Sequence, residues 1–262
     1  MTEYPERQVS RAAGWARGIG AFSLVLLVTD WVGHHFGLTE TPAFLWVLGL
    51  AALLAALALL LAGLAFARMW KYGALGGRDL TIGALLAALV LVPYGFVAYR
   101  MLAYPLLRDI STDQDDPPAL EASLRTGVMN PLASPTPGEV RLQSEAYPLV
   151  IGHRYDLPFD ETLDAVETVV NAMGWQPTAP LPSTDDARDE ATVTVLARSF
   201  ILDLPCDVAI RVAADGESTI VDMRSSSRYG RHDLGDNAAR VIAFMTELDK
   251  EISARTGTAP DQ

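Results

Sequence analysis

The stretch VDMRSSSRYGRHDLGDNAARV, residues 221–241, decides the fold of the C-terminal half. It opens as a strand, passes through a polar turn holding arginines, serines and a histidine, and closes as a helix. Leu234, Ala238, Val241, Ile242, Met245, Leu248 and Ile252 recur at spacings of three and four, which predicts a final helix over about 235–254. Asp233 or Asp236 can cap its start. Upstream, residues 206–213 and 218–225 flank Asp215-Gly216, a strong hairpin signal. A two-residue Asp215-Gly216 turn sets Val212 against Thr219, Ile210 against Val221 and Val208 against Met223 on the core side. The other side then carries Asp207 opposite Arg224 and Ala209 opposite Asp222, with Arg211 diagonal to Asp222. That face reads either as a solvated, salt-bridged surface or as the floor of a polar groove.

Working backwards, residues 191–198 alternate threonine and valine, a further strand. Residues 177–190 form an acidic, proline-rich loop. Leu163, Val166, Val169, Val170 and Met173 lie on one helical face, in a helix begun at Asp160 as N-cap and ended by Gly174. Trp175 begins a strand and residues 146–157 give one or two more. The order β-α-β-β-β-β-α over 146–254 predicts α+β, a two-layer sandwich of an antiparallel sheet with both helices on one face. Residues 255–262 read as a disordered tail, and 105–145 as an extended, irregular juxtamembrane arm.

Composition divides the chain further. It has 262 residues, net charge −12 and a mean hydropathy of +0.20. Residues 1–104 carry seven Lys/Arg and five Asp/Glu, whereas 105–262 carry thirteen and twenty-seven. An apolar, slightly basic half before an acidic one indicates a membrane anchor with an appended domain. Spans are expected at about 18–38, 43–67 and 80–104, each long enough for the ~20 residues a crossing needs. The first is no signal peptide, because no small-residue cleavage site follows it and further spans do. Trp46 and Trp70 flank the second as interfacial anchors, and Pro93 with Gly95 marks a kink in the third. Arg7, Arg11 and Arg17 precede the first span, and Arg68, Lys71 and Arg78 follow the second. That bias predicts a bacterial inner-membrane protein with a cytoplasmic N-terminus and a periplasmic C-terminal domain, Arg100 and Arg108 on the outer side notwithstanding. The lipid bilayer is thus its first partner. Acidic balance argues against nucleic acid.

Charge inside a span is a functional flag. Asp30 in the first span and Arg100 in the third lie at similar depth from the outer side and are expected to pair, with His34 on the Asp30 face. A structural ion pair is favoured over an ion path.

Residues 107–120, LRDISTDQDDPPAL, hold Asp109, Asp113, Asp115 and Asp116. They lack the glycine and distal glutamate of an EF-hand loop, so turn capping outweighs cation binding. This run and the 221–241 stretch together resemble the bacterial domain-of-unknown-function family 1499 over about residues 106–252. The resemblance implies membership and no reaction, and it does not take in the three spans. No metal site and no cofactor is expected. The lone Cys206 reads as a small buried hydrophobe.

Arg224, Arg228 and Arg231 gather near the start of the last helix beside Ser225, Ser227, His232 and Asp233. Helix N-termini favour anions and arginine offers bidentate donors, so these residues are the candidate ligand-binding set, for an anionic small molecule or lipid head group. An internally paired polar network would look the same. The functional expectation is a non-catalytic binding or accessory module of the cell envelope. The alternatives are a hydrolase at the same surface and a structural partner of another membrane protein. Against hydrolysis, a triad needs nucleophile, base and orienter in line, and neighbouring His232 and Asp233 diverge.

Overall fold

The computed structural model describes residues 10–180, 182 and 189–257. Arg7, half of the 177–190 loop (181 and 183–188) and residues 258–262 lie outside the described residues. The chain forms two compact units, residues 1–99 and 100–262.

The first unit is helical. α1 (Arg11–His35), α2 (Thr41–Tyr72) and α3 (Gly77–Ala103) are all long and apolar enough to cross a membrane. α2 extends past its apolar run at both ends, whereas α1 and α3 start earlier than expected and end at His35 and Ala103; α3 is continuous through Pro93. α1 and α3 cross with backbones in contact. A Cβ at Gly83 would lie 2.7 Å from the backbone of Ala16 and Arg17, and one at Gly20 would lie 2.9 Å from the Gly83 carbonyl. Small residues permit this approach, which is how spanning helices associate without a hydrophobic drive. Arg17 pairs with Asp79 at 2.9 Å. Trp46 and Trp70 are exposed.

The second unit is an antiparallel α+β sandwich. Its elements are β1 (Asp109–Ser111), a 3-10 turn (Ala122–Leu124), α4 (Pro137–Ala146), β2 (His153–Tyr155), α5 (Phe159–Ala172), β3 (Gln176–Pro177), β4 (Glu190–Arg198), β5 (Pro205–Asp215), β6 (Ser218–Ser227) and α6 (Asp236–Thr256). The sheet order is β1-β6-β5-β4-β3, and β2 pairs with β6 as well. One face presents Val193, Val195, Val208, Ile210, Val212, Val221 and Met223 to α5 and α6. Trp175 stacks on Phe244 at the edge of this core.

The hairpin register differs from expectation. Asp215 pairs with Ser218, so the turn is Gly216-Glu217. Gly216 has φ +69°, and among the described residues Glu217 has no positive φ, the pattern of a turn with glycine at its first central position. Val212 therefore opposes Val221, Ile210 opposes Met223 and Val208 opposes Ser225. The slip is two residues, so every side chain keeps its face. Arg211 now lies directly opposite Asp222, and Ala209 rather than Asp207 opposes Arg224.

Three further expectations are corrected. The 105–145 arm is not irregular throughout, because it supplies β1 and most of α4. Thr136 and Glu139 form a capping box with Pro137 in the first turn, which starts α4. Asp160 sits in the first turn of α5, whose cap position is Pro158. Arg255 and Thr256 complete α6, where Arg255 pairs with Glu251 and donates to the Thr168 hydroxyl, instead of joining a tail.

Candidate functional site

The two sequence runs that carry the resemblance meet in space. β1 lies antiparallel to the end of β6, with Asp109 opposite Ser226 and Ser111 opposite Arg224. Asp109 accepts Nε and Nη2 of Arg224, both at 2.9 Å. Thr112 donates its hydroxyl to Asp222 at 2.8 Å and accepts the Met223 N–H at 2.9 Å. Arg211 reaches Asp113 and Asp116 at 2.8 Å each and Asp222 at 3.3 Å. Burial alone would raise the Asp113 carboxyl, but the Asp116 N–H, the Arg211 guanidinium and the Asp115 N–H together hold it below its ordinary value. The acidic run therefore neutralises the basic hairpin, and its acids are turn and pair formers. Among the described residues no group of three or more His, Cys, Asp or Glu is placed to hold a metal ion.

The remaining arginine of the sheet end is also engaged. Asp207, 4% exposed, accepts Arg125 Nε on Oδ2 and Arg228 Nε on Oδ1, each at 2.8 Å. Arg125 further donates to the carbonyls of Asn130 and Ser226. Asn130 donates to the carbonyls of Ser227 and Gly230. The sheet face opposite α5 and α6 is thus neither a solvated surface nor an open groove. The segment 112–136 covers it.

The corner between β6 and α6 spends its polar groups locally. Ser225 donates to Asn237, and Arg240 donates to both. Ser227 accepts from Asn237 at 3.0 Å. Asp233 accepts the N–H groups of Gly235 on one oxygen and Asn237 on the other, capping α6. Burial pushes the Asp233 and Asp236 carboxyls up, against those N–H groups in the first case and against the Phe200 N–H and Arg100 in the second. His232 Nδ1 accepts the Leu234 N–H at 2.9 Å, so the ring's proton sits on Nε2, directed at the Tyr104 carbonyl 3.1 Å away. That bond holds Leu234 at φ +59°, followed by Gly235 at φ +80°. Gly235 is required twice over, because a Cβ there would also lie 2.6 Å from the Tyr104 ring. With both imidazole nitrogens and both Asp233 oxygens committed, Ser225, Ser227, His232 and Asp233 share no nucleophile–base–orienter line. Of the candidate set, only Arg231 is exposed and makes no hydrogen bond or ion pair among the described residues.

A different opening lies beside Arg224. It is a small cleft of about 50 Å³ between β1, the 131–135 segment and α4. Gln143, buried on α4, faces the outer edge of β1 and mimics a strand. Its Nε2 donates to the Ser111 carbonyl at 2.6 Å and its Oε1 accepts the Ser111 N–H at 3.3 Å. Two lining groups are left over. The half-buried Arg108 guanidinium has no hydrogen bond or ion pair among the described residues, and its charge helps to lower the Glu139 carboxyl, which lines the same opening. Gln114 donates Nε2 to Ser144, while its buried Oε1 has no partner. Buried polar atoms are normally paired, so the unmet Gln114 Oε1 marks a place for a donor from a polar ligand or water, and the partly exposed Arg108 lines the same opening.

Arg108 and Gln114 escaped sequence reasoning because both lie in the segment expected to be irregular. Asn237 and Arg240 escaped it as ordinary helix residues. His153 meets Asp249 at 2.9 Å and Tyr155 donates to the same oxygen at 2.7 Å, a satisfied cluster tying β2 to α6. Burial pushes the Cys206 thiol up, which fits packing and not nucleophilic use. In the helical unit Asp30 is buried and its Oδ2 has no hydrogen-bond partner among the described residues. Arg100, expected opposite it, instead donates to the Leu234 carbonyl at 2.8 Å and pairs with Asp236 at 3.4 Å. Arg100, the first residue of the second unit, is thus bound within that unit at the α6 corner.

A family described as protein of unknown function, DUF1499, matches residues 109–248. The chain belongs to that family. The DUF1499 match begins at Asp109, the residue that clamps Arg224, and takes in the arm, Gln114, Gln143 and the α6 corner; it excludes the three spans. No curated protein matches the chain significantly. A crystal structure of CalU16 from Micromonospora echinospora is 16% identical, over 40% of this chain and 76% of that one, with a TM-score of 0.28. Such a likeness carries no argument.

Proposed function

We propose that this protein is a non-catalytic binding or accessory module of the bacterial cell envelope, held in the inner membrane by its three helices, with the N-terminus cytoplasmic and the DUF1499 domain periplasmic. The Lys/Arg bias of the flanks supports the orientation. The binding surface is the opening beside β1 and α4, and its ligand is a small polar molecule carrying an anionic oxygen. One observation carries this reading. Arg224, Arg228, Arg125 and Arg211 are all consumed by internal carboxylates, whereas Arg108 faces the opening with its guanidinium unengaged. Arginine is a preferred donor to carboxylate and phosphate, and Gln114 Oε1 would accept a donor from the same ligand. The test is native mass spectrometry of the full chain in nanodiscs with inorganic phosphate, acetate and succinate. Retention of one of these, lost in Arg108→Ala, is the expected outcome. No retained anion, with an unchanged wild-type unfolding temperature, refutes the reading.

A further inference from the structure

The cleft beside β1 and α4 is lined by two opposite charges that do not meet. Arg108 immediately precedes β1, and Glu139 lies in the first turn of α4. No ion pair joins them, although the Arg108 charge acts on the Glu139 carboxyl. That carboxyl is ionised at neutral pH. The Thr136 N–H and then the Thr136 hydroxyl hold it below its ordinary 4.5, against burial and with help from Arg108. Both Thr136 bonds fall on Oε2, at 2.8 and 2.7 Å, and Oε1 accepts none among the described residues.

Gln114 adds a third unused group. Its Nε2 is anchored to the Ser144 hydroxyl at 3.2 Å, on the same helix as Glu139, and its buried Oε1 has no partner. The cleft therefore presents one cationic donor and two acceptors, one of them charged. A simple anion satisfies Arg108 alone and brings a second negative charge towards Glu139. A water satisfies Gln114 and leaves both charges unpaired. A molecule with both a carboxylate and an ammonium answers all three, because arginine takes a carboxylate and an ammonium has several N–H groups to donate. Size narrows the choice. At roughly 10–15 Å³ for each water-sized group, about 50 Å³ admits about three to five non-hydrogen atoms. Glycine, an acetate carrying an ammonium, is of that size.

We propose that this cleft binds a small zwitterion, an α-amino acid of glycine's size, with its carboxylate on Arg108 and its ammonium shared by Glu139 and Gln114. This rests on reading the cleft as a binding site, and it specifies a ligand of no net charge where Arg108 alone specifies only an anionic oxygen.

The test is isothermal titration of the full chain in nanodiscs at neutral pH with glycine and with acetate. Wild type should bind glycine at least roughly tenfold more tightly than acetate, the ratio expected of one added hydrogen bond to a charged group. Glu139→Gln keeps the reciprocal Thr136 cap, because glutamine serves at that position as glutamate does, and removes the charge. It should weaken glycine roughly tenfold and leave acetate bound as well or better. Gln114→Leu, which leaves the cap untouched, should also weaken glycine more than acetate. Acetate bound as tightly as glycine, or glycine unmoved by both substitutions, would overturn the zwitterion and leave an anion site. Neither ligand bound to wild type would overturn the zwitterion and the site together.

Discussion

Asp207→Ala tests whether the arginines of the 221–241 stretch are structural. The Asp207 carboxylate is the shared acceptor of two guanidinium groups whose side chains are 5% and 13% exposed, Arg125 and Arg228. Removing it leaves both buried without a counter-charge. Arg125 keeps two carbonyl acceptors, but Arg228 keeps no side-chain partner among the described residues. Breaking a buried pair by deleting one member costs roughly 3–5 kcal/mol, because the remaining charge is desolvated and unpaired. For a unit of this size each kcal/mol moves the melting temperature by about 2–4 °C, so the loss should be roughly 6–20 °C. Thermal unfolding of the full chain in nanodiscs, followed by intrinsic fluorescence to which Trp175 contributes from the second unit beside the four tryptophans of the first, reads it. A cycle with Arg228→Ala should give a coupling of about 0.5–3 kcal/mol, because the second removal takes away a charge already orphaned. A loss below about 1 kcal/mol, or strict additivity, would refute the reasoning and return Arg228 to the ligand set.

Other substitutions probe other joints. Gly235→Ala should cost more than about 1 kcal/mol, since it strains a left-handed residue and drives a Cβ into the Tyr104 ring; urea unfolding measures it. Gly83→Val should separate α1 from α3, seen as lost cross-linking between cysteines placed at their facing positions. The Glu139 carboxyl is held below its ordinary 4.5 chiefly by the Thr136 N–H, then by the Thr136 hydroxyl, against the opposing effect of burial. A depressed folded value contributes stability above the unfolded value and loses it as pH falls through the folded one. The margin of wild type over Glu139→Ala, roughly 0.3–1.5 kcal/mol from the cap, should therefore be constant above pH 5 and shrink on acidification below 4.5.

Periodicity made the core legible. The α5 and α6 stripes and the alternation of β4 to β6 all face inward as the sequence orders them, and even the hairpin slip of two residues preserved the faces. What spacing could not convey was partnership across long separations. Asp109 and Arg224 are 115 residues apart, and Arg125 and Asp207 are 82 apart, so nothing local says that one run neutralises the other. The grouping at 221–241 was found because its charge is dense, but density is what an internal network also requires. α4 was missed although T-P-G-E at 136–139 spells a capping box, because its prolines suggested a loop. Arg108 carried no signal at all. It is notable only for what it fails to touch.

Thermal shift of the full chain with inorganic phosphate, acetate and succinate, run on wild type, Arg108→Ala and Arg228→Ala, most directly separates the binding opening from the structural corner. At a hundredfold excess over its dissociation constant a ligand adds about 2.7 kcal/mol. The account predicts that one of these anions raises the wild-type melting temperature. Arg108→Ala should melt as wild type does without ligand and lose the shift, while Arg228→Ala should melt lower and keep it. A shift lost in Arg228→Ala and kept in Arg108→Ala would contradict the account.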